Sequence, residues 1–374
     1  MKITRGVVAL GPGVAGRSRR HRQAGLVAAA CTSLVLAACG SAAPSSSSAT
    51  SATTTSSSSS STTTSSSSSS SSAVAAPSKH YTFELITKSN ASPYWLAVKD
   101  GADAAAKKLG VTVNFEAPAS GTDLATQISM VGDAVTSHVS GIILAAQTPT
   151  GLLQPVRSAL AAKIPVVTVD SGVSPNVSDS FLATSNVKSA AALAKYTAKL
   201  AGGSGQYAII DFNEISSTGI ARPKGFRQGM KSFPKFSYVG MKISNNSIPT
   251  GRAEAAGIIA SHPGLKLIFG ANDRSAIGAA EAVQAAHKVG KIIVAGFDAD
   301  LGEVNLIKQG VISASVLQYP YQMGYQAVQE LVQIKAGKSV PKRVDTPYTI
   351  ATKSNISSPA VIKAIKQYIP TYKG

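Results

Sequence analysis

The chain has 374 residues, with 36 lysines and arginines against 18 acidic residues, and all 18 acids lie from Glu84 onward. Both cysteines, Cys31 and Cys39, precede that point. This excludes a disulfide-built core, a cysteine nucleophile and a cysteine-ligated metal site in the part of the chain that can fold. A hydrophobic fraction of 44% with 32 glycines and 6% aromatic residues is typical of an alanine- and valine-rich α/β protein.

The first segment of the chain has the pattern of an export signal. Residues 1–22 contain six basic residues and no acid, and an uncharged run of 15 residues follows at 24–38. Because a membrane-spanning helix needs roughly 20 residues, the run favours a cleaved signal over a permanent anchor. It ends in Leu36-Ala37-Ala38-Cys39, which resembles a bacterial lipobox. We therefore expect a lipoprotein signal peptide over 1–38, lipidation of Cys39, and a location at the outer face of the cytoplasmic membrane.

A serine- and threonine-rich tract comes next. From Ser41 to Ser72, 27 of 32 residues are serine or threonine, a composition that has almost nothing to bury. The pattern predicts a disordered tether over 39–78, which lets the folded part move above a membrane surface. Tracts of this kind can also carry O-linked sugars, and the composition leaves that open.

From residue 81 onward, short apolar runs alternate with longer alanine-rich stretches of helical period. The runs that we predict as strands are 81–87, 111–115, 141–145, 165–169, 206–211, 237–243, 265–269, 291–295 and 312–317. Strict alternation of strand and helix predicts parallel sheets with right-handed crossovers. Nine or ten such units are many for one sheet, so the sequence predicts an α/β fold with two doubly wound lobes.

Polar or aromatic groups follow six of the nine predicted strands. They lie at 88–95, 170–171, 211–214, 270–273, 296–298 and 318–320. In open parallel sheets, ligands meet the loops at the carboxyl ends of the strands. The sequence therefore predicts that these six segments converge on one cleft.

Six longer segments carry a family resemblance. They are SPYWLAVKDGADAAAKKLG at 92–110, IPVVTVDSG at 164–172, RPKGFRQGM at 222–230, NDRSAIGAA at 272–280, VAGFD at 294–298 and LQYPYQMGYQAV at 317–328. In this order they resemble the type I periplasmic solute-binding proteins of ABC importers, in the sugar-binding branch that includes ribose-binding protein. The resemblance covers essentially all of residues 80–360.

The resemblance implies an architecture and a function. Two lobes would be joined by a three-crossover hinge and would close on a sugar or polyol. The first lobe would be 79–184 plus 319–348, and the second would be 185–318 plus 349–374. The partners would be the transmembrane subunits of an ABC permease, the membrane through the lipid anchor, and no nucleic acid. We also expect a monomer that is not an enzyme and holds neither a cofactor nor a metal.

The resemblance also implies which residues hold the ligand. A sugar offers C–H faces to aromatic rings and a rim of hydroxyls to carboxylates, amides and guanidinium groups. The matching positions are Lys88, Ser92, Tyr94, Trp95, Asp170, Ser171, Arg222, Asn272, Phe297, Asp298 and Gln318. Two positions depart from ribose-binding protein: Ser171 stands in place of an arginine and Lys88 in place of a serine. These departures leave open which sugar or polyol is bound and whether the ligand is acidic.

Other classes of function fit the sequence less well. A ligand-binding subunit of a membrane sensor shares every feature above and stays the alternative. A repressor needs a DNA-reading helix-turn-helix where this chain has an export signal. The chain has no G-x-S-x-G, P-loop or H-E-x-x-H motif, although two aspartates facing each other, as in glycosidases, are compatible with the sequence. The dispersed lysines lack the basic-aromatic stripe typical of nucleic-acid binding.

Overall fold

The computed structural model describes residues 76–374. The predicted signal peptide, the lipidation site Cys39 and the tether as far as residue 75 lie outside the described residues. Within 76–374, no helix is both long enough and apolar enough to cross a membrane. The same range contains no group of three or more histidine, cysteine, aspartate or glutamate side chains that could hold a metal ion.

The first sheet has six parallel strands. They are β1 (Thr82–Ile86), β2 (Thr112–Glu116), β3 (Gly141–Leu144), β4 (Val166–Val169), β5 (Ser180–Thr184) and β11 (Val344–Thr346). Their order across the sheet is β11-β5-β4-β3-β1-β2. The helices of this lobe are α1 (Pro93–Leu109), α2 (Leu124–Thr136), α3 (Leu153–Ala161) and α9 (Pro320–Lys335).

The second sheet repeats this plan. Its strands are β6 (Gly205–Asp211), β7 (Phe236–Ile243), β8 (Leu265–Gly270), β9 (Ile293–Phe297), β10 (Ala314–Leu317) and β12 (Thr349–Ala351). Its helices are α4 (Asn186–Leu200), α5 (Ser217–Met230), α6 (Ile248–Ser261), α7 (Asp273–Ala285), α8 (Leu301–Gln309) and α10 (Pro359–Ile365). The strand order β12-β10-β9-β8-β6-β7 matches the first sheet position by position, and only β12 runs antiparallel to its neighbour.

The chain passes between the two sheets three times. The crossings lie between β5 and α4, between β10 and α9, and between β11 and β12. The Tyr319 hydroxyl lies 3.0 Å from the hydroxyl of Thr349, which ties the second crossing to the third. The predicted fold, two doubly wound lobes with three crossovers, is confirmed.

The nine predicted strands are present, and three further strands were not predicted. Strands β3 and β4 are buried at every residue, which is why they read as continuous apolar runs. Strand β9 begins two residues later than predicted and extends to Phe297. The strands missed from the sequence are β5, β11 and β12; the last two have only three residues each.

Glycines allow unusually close helix packing in both lobes. A Cβ atom at Gly101 of α1 would overlap the backbone carbonyl of Tyr321 in α9, and one at Gly324 of α9 would overlap that of Val98. In the second lobe, a Cβ atom at Gly225 of α5 would likewise meet the backbone of α4. Because α1 carries residues of the cleft at its first turn, this packing also sets the position of the cleft wall.

Candidate functional site

A cavity of about 490 Å³ lies between the two lobes. Its volume falls in the range of small-molecule sites, roughly 300–1,000 Å³. The first lobe contributes Lys88, Ser89, Ala91, Ser92, Tyr94, Trp95, Ala119, Ser120, Gly121, Thr122 and Asp170. The second lobe contributes Phe212, Asn213, Thr218, Arg222, Asn245, Asn246, Asn272, Asp273, Arg274 and Asp298. Five of the six predicted segments therefore meet at this cavity, and the sixth, 318–320, contributes no lining residue.

Two aspartates occupy equivalent places in the two lobes. Asp170 follows β4 and Asp298 follows β9, and these strands hold the same position in their sheets. Each backbone N–H donates to the neighbouring strand, from Asp170 to Leu182 at 2.9 Å and from Asp298 to Val316 at 2.8 Å. Both residues have left-handed backbone conformations, with φ values of 59° and 86°. This conformation is uncommon outside glycine, and aspartate is among the residues that tolerate it.

In the first lobe, the Asp170 carboxylate is held by two side chains. The Lys88 ammonium donates to its Oδ2 at 3.4 Å, and the Tyr94 hydroxyl donates to its Oδ1 at 3.0 Å. Burial lowers the pKa of Lys88, and the attraction of Asp170 opposes that change. Burial, together with the negative charge of Asp170, raises the pKa of Tyr94 well above its ordinary value. Tyr94 therefore keeps its proton and stays a donor at neutral pH.

In the second lobe, the Asp298 carboxylate has an equivalent arrangement. Arg222 Nη1 donates to its Oδ2 at 3.3 Å, and Gln318 Nε2 donates to its Oδ1 at 2.6 Å. Burial raises the pKa of Asp298, and the positive charge of Arg222 opposes the rise. Burial alone would lower the pKa of Arg222, but Asp298 and Asp170 outweigh it and raise the pKa. Each lobe therefore presents one carboxylate already paired with a cation.

The guanidinium group of Arg222 is held by several contacts besides the one with Asp298. Its Nε donates to Asn186 Oδ1 at 2.8 Å, and its Nη1 also donates to the carbonyl of Ala271 at 2.9 Å. The guanidinium carbon lies 3.9 Å from the centroid of the Phe297 ring, a cation–π distance. Asn186 is the first residue of α4, directly after the first crossover. The guanidinium therefore links the cleft wall to the hinge.

The aromatic wall comes from the first turn of α1. Pro93 begins the helix, because its fixed φ suits the first helical position, and Tyr94 and Trp95 follow at the cleft. Their rings meet edge to face with centroids 4.8 Å apart. Ser92 precedes the helix, makes no capping bond with its side chain, and lines the cleft.

Asn272 connects two loops of the second lobe. Its Oδ1 accepts from the backbone N–H of Ser275 at 3.0 Å and so caps α7, while its Nδ2 donates to Asn246 Oδ1 at 2.7 Å. Asn272 therefore caps α7 and lies on the cleft wall at the same time.

Three of the predicted ligand residues lie behind the cleft wall. Ser171 donates its hydroxyl to the carbonyl of Ala146 at 2.9 Å, which is possible because the chain turns away after Asp170. Phe297 is fully buried under the guanidinium of Arg222, and Gln318 is fully buried against Asp298. The structure corrects their placement: they support the cleft wall and do not line it.

The sequence missed several polar residues of the second lobe. Asn245 and Asn246 follow β7, both with left-handed φ values, 51° and 57°. The paired asparagines after an apolar run were a usable signal for a turn at a strand end. Asp273 and Arg274 begin α7; Asp273 ends the predicted cleft segment 270–273 but was not among the predicted ligand residues. Burial raises the pKa of Asp273 to about 7, with a further contribution from Asp298.

A buried glutamic acid, Glu303, is linked to Asp298 through the hydroxyl of Ser315. Glu303 is fully buried; its Oε1 accepts from the Ser315 hydroxyl at 2.7 Å, and its Oε2 has no partner among the described residues. The Ser315 hydroxyl also lies 3.2 Å from the carbonyl of Asp298. Gly296 leaves the space that the carboxyl group fills. Burial raises the pKa of Glu303 well above its model-compound value of 4.5, so the folded chain holds it as a neutral acid.

Glu303→Gln is expected to flatten the pH dependence of stability. The pKa of the buried carboxyl lies well above that of the unfolded one, so the contribution of Glu303 to stability falls as the pH rises above about 4.5. Glutamine keeps an acceptor for Ser315 and cannot ionise, so the variant should lose less stability than wild type over the same rise in pH, by about 1 kcal/mol or more. Urea denaturation at several pH values measures this. Glu281→Gln, on a residue paired with Arg252 at the surface of α7, is the matched control. Parallel pH profiles for wild type and Glu303→Gln would contradict the assignment of a neutral acid.

Comparison with known proteins identifies the family. The sequence profile of the periplasmic binding protein domain matches residues 83–339, more than half of the chain. The chain belongs to this family. The assignment confirms the resemblance that the six sequence segments carried.

Relatives in the periplasmic binding protein family share most of their length with this chain. The D-allose-binding periplasmic protein of Escherichia coli is 29% identical over 269 residues, which cover 69% of this chain and 86% of that protein. The ribose import binding protein of Bacillus subtilis is 27% identical over 274 residues, which cover 73% of this chain and 88% of that protein.

Solved structures of the same family superimpose on the chain. An ABC transporter solute-binding protein of Agrobacterium vitis with bound D-fucose is 34% identical, with a TM-score of 0.72, and the match covers 75% of this chain and 98% of that one. A carbohydrate transporter solute-binding protein of Agrobacterium radiobacter in complex with D-arabinose is 28% identical, with a TM-score of 0.74, covering 77% of this chain and 100% of that one.

Proposed function

We propose that this chain is the extracytoplasmic substrate-binding lipoprotein of an ABC importer, and that it captures a sugar or polyol between its lobes. The observation that carries the proposal is the pair of equivalent carboxylates, Asp170 and Asp298, each held by a cation on opposite walls of one cleft. Named relatives that bind allose and ribose, and structures with bound D-fucose and D-arabinose, support the ligand class.

The chemistry of the cleft suits a polyhydroxylated ligand. Each aspartate oxygen already accepts one internal bond, which fixes the carboxylate and leaves its remaining lone pairs for ligand hydroxyl donors. Cations and amides supply donors for the oxygens of the ligand. The residues that we propose to contact it directly are Lys88, Ser92, Tyr94, Trp95, Asp170, Arg222, Asn272 and Asp298.

Closure of the lobes would bury the ligand. We propose that the two lobes move as rigid bodies about a hinge formed by the three crossovers. One body would be 79–184 plus 319–348, and the other would be 185–318 plus 349–374. The closed, liganded monomer would then present both lobes to the transmembrane subunits of the permease.

A thermal-shift screen tests the proposed function. The panel contains pentoses, hexoses, polyols and sugar acids, and calorimetry follows each compound that raises the melting temperature. A ligand at 100 times its dissociation constant should add about 2.7 kcal/mol to the free energy of unfolding. If amino acids or peptides, added as controls, stabilise the chain and no sugar or polyol does, the ligand class is wrong.

Trp95→Ala is expected to weaken sugar binding by roughly fivefold, because the ligand loses the ring on which its C–H face rests, an interaction of about 1 kcal/mol. Trp95 is the sole tryptophan of the chain, so wild-type indole fluorescence should change when ligand is added. Tyr196→Ala, which removes an exposed ring from α4, is the control and should bind as wild type does. An unchanged affinity in Trp95→Ala would place the ligand away from α1.

Cys39→Ala is expected to release the protein from the membrane fraction or to leave its signal unprocessed, because stable anchoring needs more than one acyl chain on the mature N-terminus. Fractionation and mass determination of the mature chain measure this. Cys31→Ala, within the apolar run, is the matched control and should leave the protein at the membrane. Membrane association of Cys39→Ala equal to that of wild type would contradict the lipid anchor.

A further inference from the structure

Lys88 differs from every other lysine among residues 76–374. It is the buried one, with 8% of its surface exposed, and it follows β1 at the floor of the cleft. Within the described part of the chain, the ammonium nitrogen makes one hydrogen bond, to Asp170. Its remaining N–H groups are therefore available to a molecule in the cavity of about 490 Å³.

The surroundings of Lys88 are those of a reactive amine. Its Nζ lies 3.4 Å from Asp170 Oδ2, and the other carboxylate oxygen accepts from the Tyr94 hydroxyl at 3.0 Å. The Trp95 ring centroid lies 5.6 Å from Nζ. An amine, a carboxylate that can take its proton and a phenol that can donate one thus meet at the same wall of the cleft. Burial lowers the pKa of Lys88, which increases the fraction of neutral, nucleophilic amine.

We propose that Lys88 captures the carbonyl group of small aldehydes, including the open-chain form of an aldose, as a reversible imine. This goes beyond the proposed transport function, since it concerns a covalent bond that polyols and other non-carbonyl ligands cannot form.

The step balances without any further reagent. Lys88 passes a proton to Asp170, and the nitrogen lone pair forms a bond to the carbonyl carbon while the carbonyl π electrons move to oxygen. That oxygen takes the proton back from Asp170, and the nitrogen, which now carries a positive charge, gives one of its own protons to Asp170, leaving a neutral carbinolamine. The nitrogen lone pair then expels the hydroxyl group, which takes this second proton from Asp170 and leaves as water, and a C=N bond forms as a protonated imine.

The charge of the site is the same before and after the reaction. An ammonium group and an aldehyde become a protonated imine and water, so one positive charge remains beside Asp170. The ion pair that holds the carboxylate is therefore retained in the product, and no unpaired buried charge is created. Hydrolysis along the same path returns the free lysine.

Reductive trapping tests the proposal. The purified chain is incubated with glycolaldehyde and sodium cyanoborohydride, and peptide mass mapping follows the hydroxyethyl group on each lysine with time. Lys88 should be labelled at least about tenfold faster than Lys99, a partly exposed lysine of α1 that also pairs with a carboxylate, that of Asp103. Labelling of Lys88 no faster than that of Lys99 would overturn the proposal.

Two controls test whether the fast labelling depends on the folded structure and on the amine of Lys88. In urea the two lysines should be labelled equally; a preference that survives unfolding would also overturn the proposal, because it would come from local sequence. Lys88→Arg keeps the positive charge beside Asp170 but has no amine nucleophile, and the rapid phase of labelling should disappear in it. Calorimetry with the best sugar or polyol on the same preparation reports the proposed transport function separately, so failure of one does not imply failure of the other.

Discussion

Arg222→Ala is expected to lower the free energy of unfolding of the ligand-free chain by about 3–5 kcal/mol, because it leaves the Asp298 carboxylate buried without its cation. It also removes the bonds to Asn186 and to the carbonyl of Ala271. The affinity for sugar should fall by roughly 10- to 150-fold, the loss of 1.5 to 3 kcal/mol for a charge-assisted hydrogen bond. Urea denaturation and calorimetry measure the two effects separately.

The matched control lies on the same helix. Arg227 is exposed and stacks over the Tyr238 ring at 4.7 Å, so Arg227→Ala should change stability by no more than about 1 kcal/mol and leave sugar affinity unchanged. If Arg222→Ala bound the best ligand as tightly as wild type, the second lobe would hold its ligand without the guanidinium. The equivalence of the two walls would then be wrong.

Gly101→Ala is expected to destabilise the first lobe by about 1–3 kcal/mol, because the added methyl group would overlap the backbone of α9 and force the two helices apart. Since Tyr94 and Trp95 lie in the first turn of α1, the displacement should also weaken sugar binding. Denaturation followed by tryptophan fluorescence reports on this lobe directly, because Trp95 is the chain's single indole.

A glycine-to-alanine substitution on an exposed helix face should instead increase the stability of the chain. Gly132 lies on the exposed face of α2, where a Cβ atom would meet nothing within 4 Å. Gly132→Ala is therefore expected to stabilise the chain by about 0.5–1 kcal/mol through the better helix propensity of alanine. Equal effects at the two positions would mean that backbone entropy, and not helix packing, accounts for the result at Gly101.

The strands that the sequence predicted are those whose own residues show that they are buried. Runs such as Gly141–Leu144 and Val166–Val169 are apolar because both faces of the sheet are covered, and burial of that kind is visible in a single strand. Val344–Thr346 and Thr349–Ala351 become strands only through their pairing with β5 and β10. Three residues carry no period of their own, so these two strands could not be read from the sequence.

The same distinction holds for the cleft. Asp170, Arg222 and Asp298 were placed correctly on the cleft wall, because each one follows an apolar run or begins a recognisable segment. Their partners were not predictable, since the pairing of Lys88 with Asp170 spans 82 positions and depends on the path of the whole sheet. Asn186 reaches Arg222 only because α4 packs against α5, through contacts that glycines permit.

The left-handed backbone at Asp170 and Asp298 also restricts how the family can diverge at this site. With φ values of 59° and 86°, these positions favour glycine, asparagine and aspartate, so the substitutions that cost least there swap the acid for an amide or delete the side chain. Lys88 and Ser92 have no such backbone constraint and face the same space. Ligand preference is therefore freer to change at Lys88 and Ser92 than at the two acidic positions, where the backbone conformation limits the choice of residue.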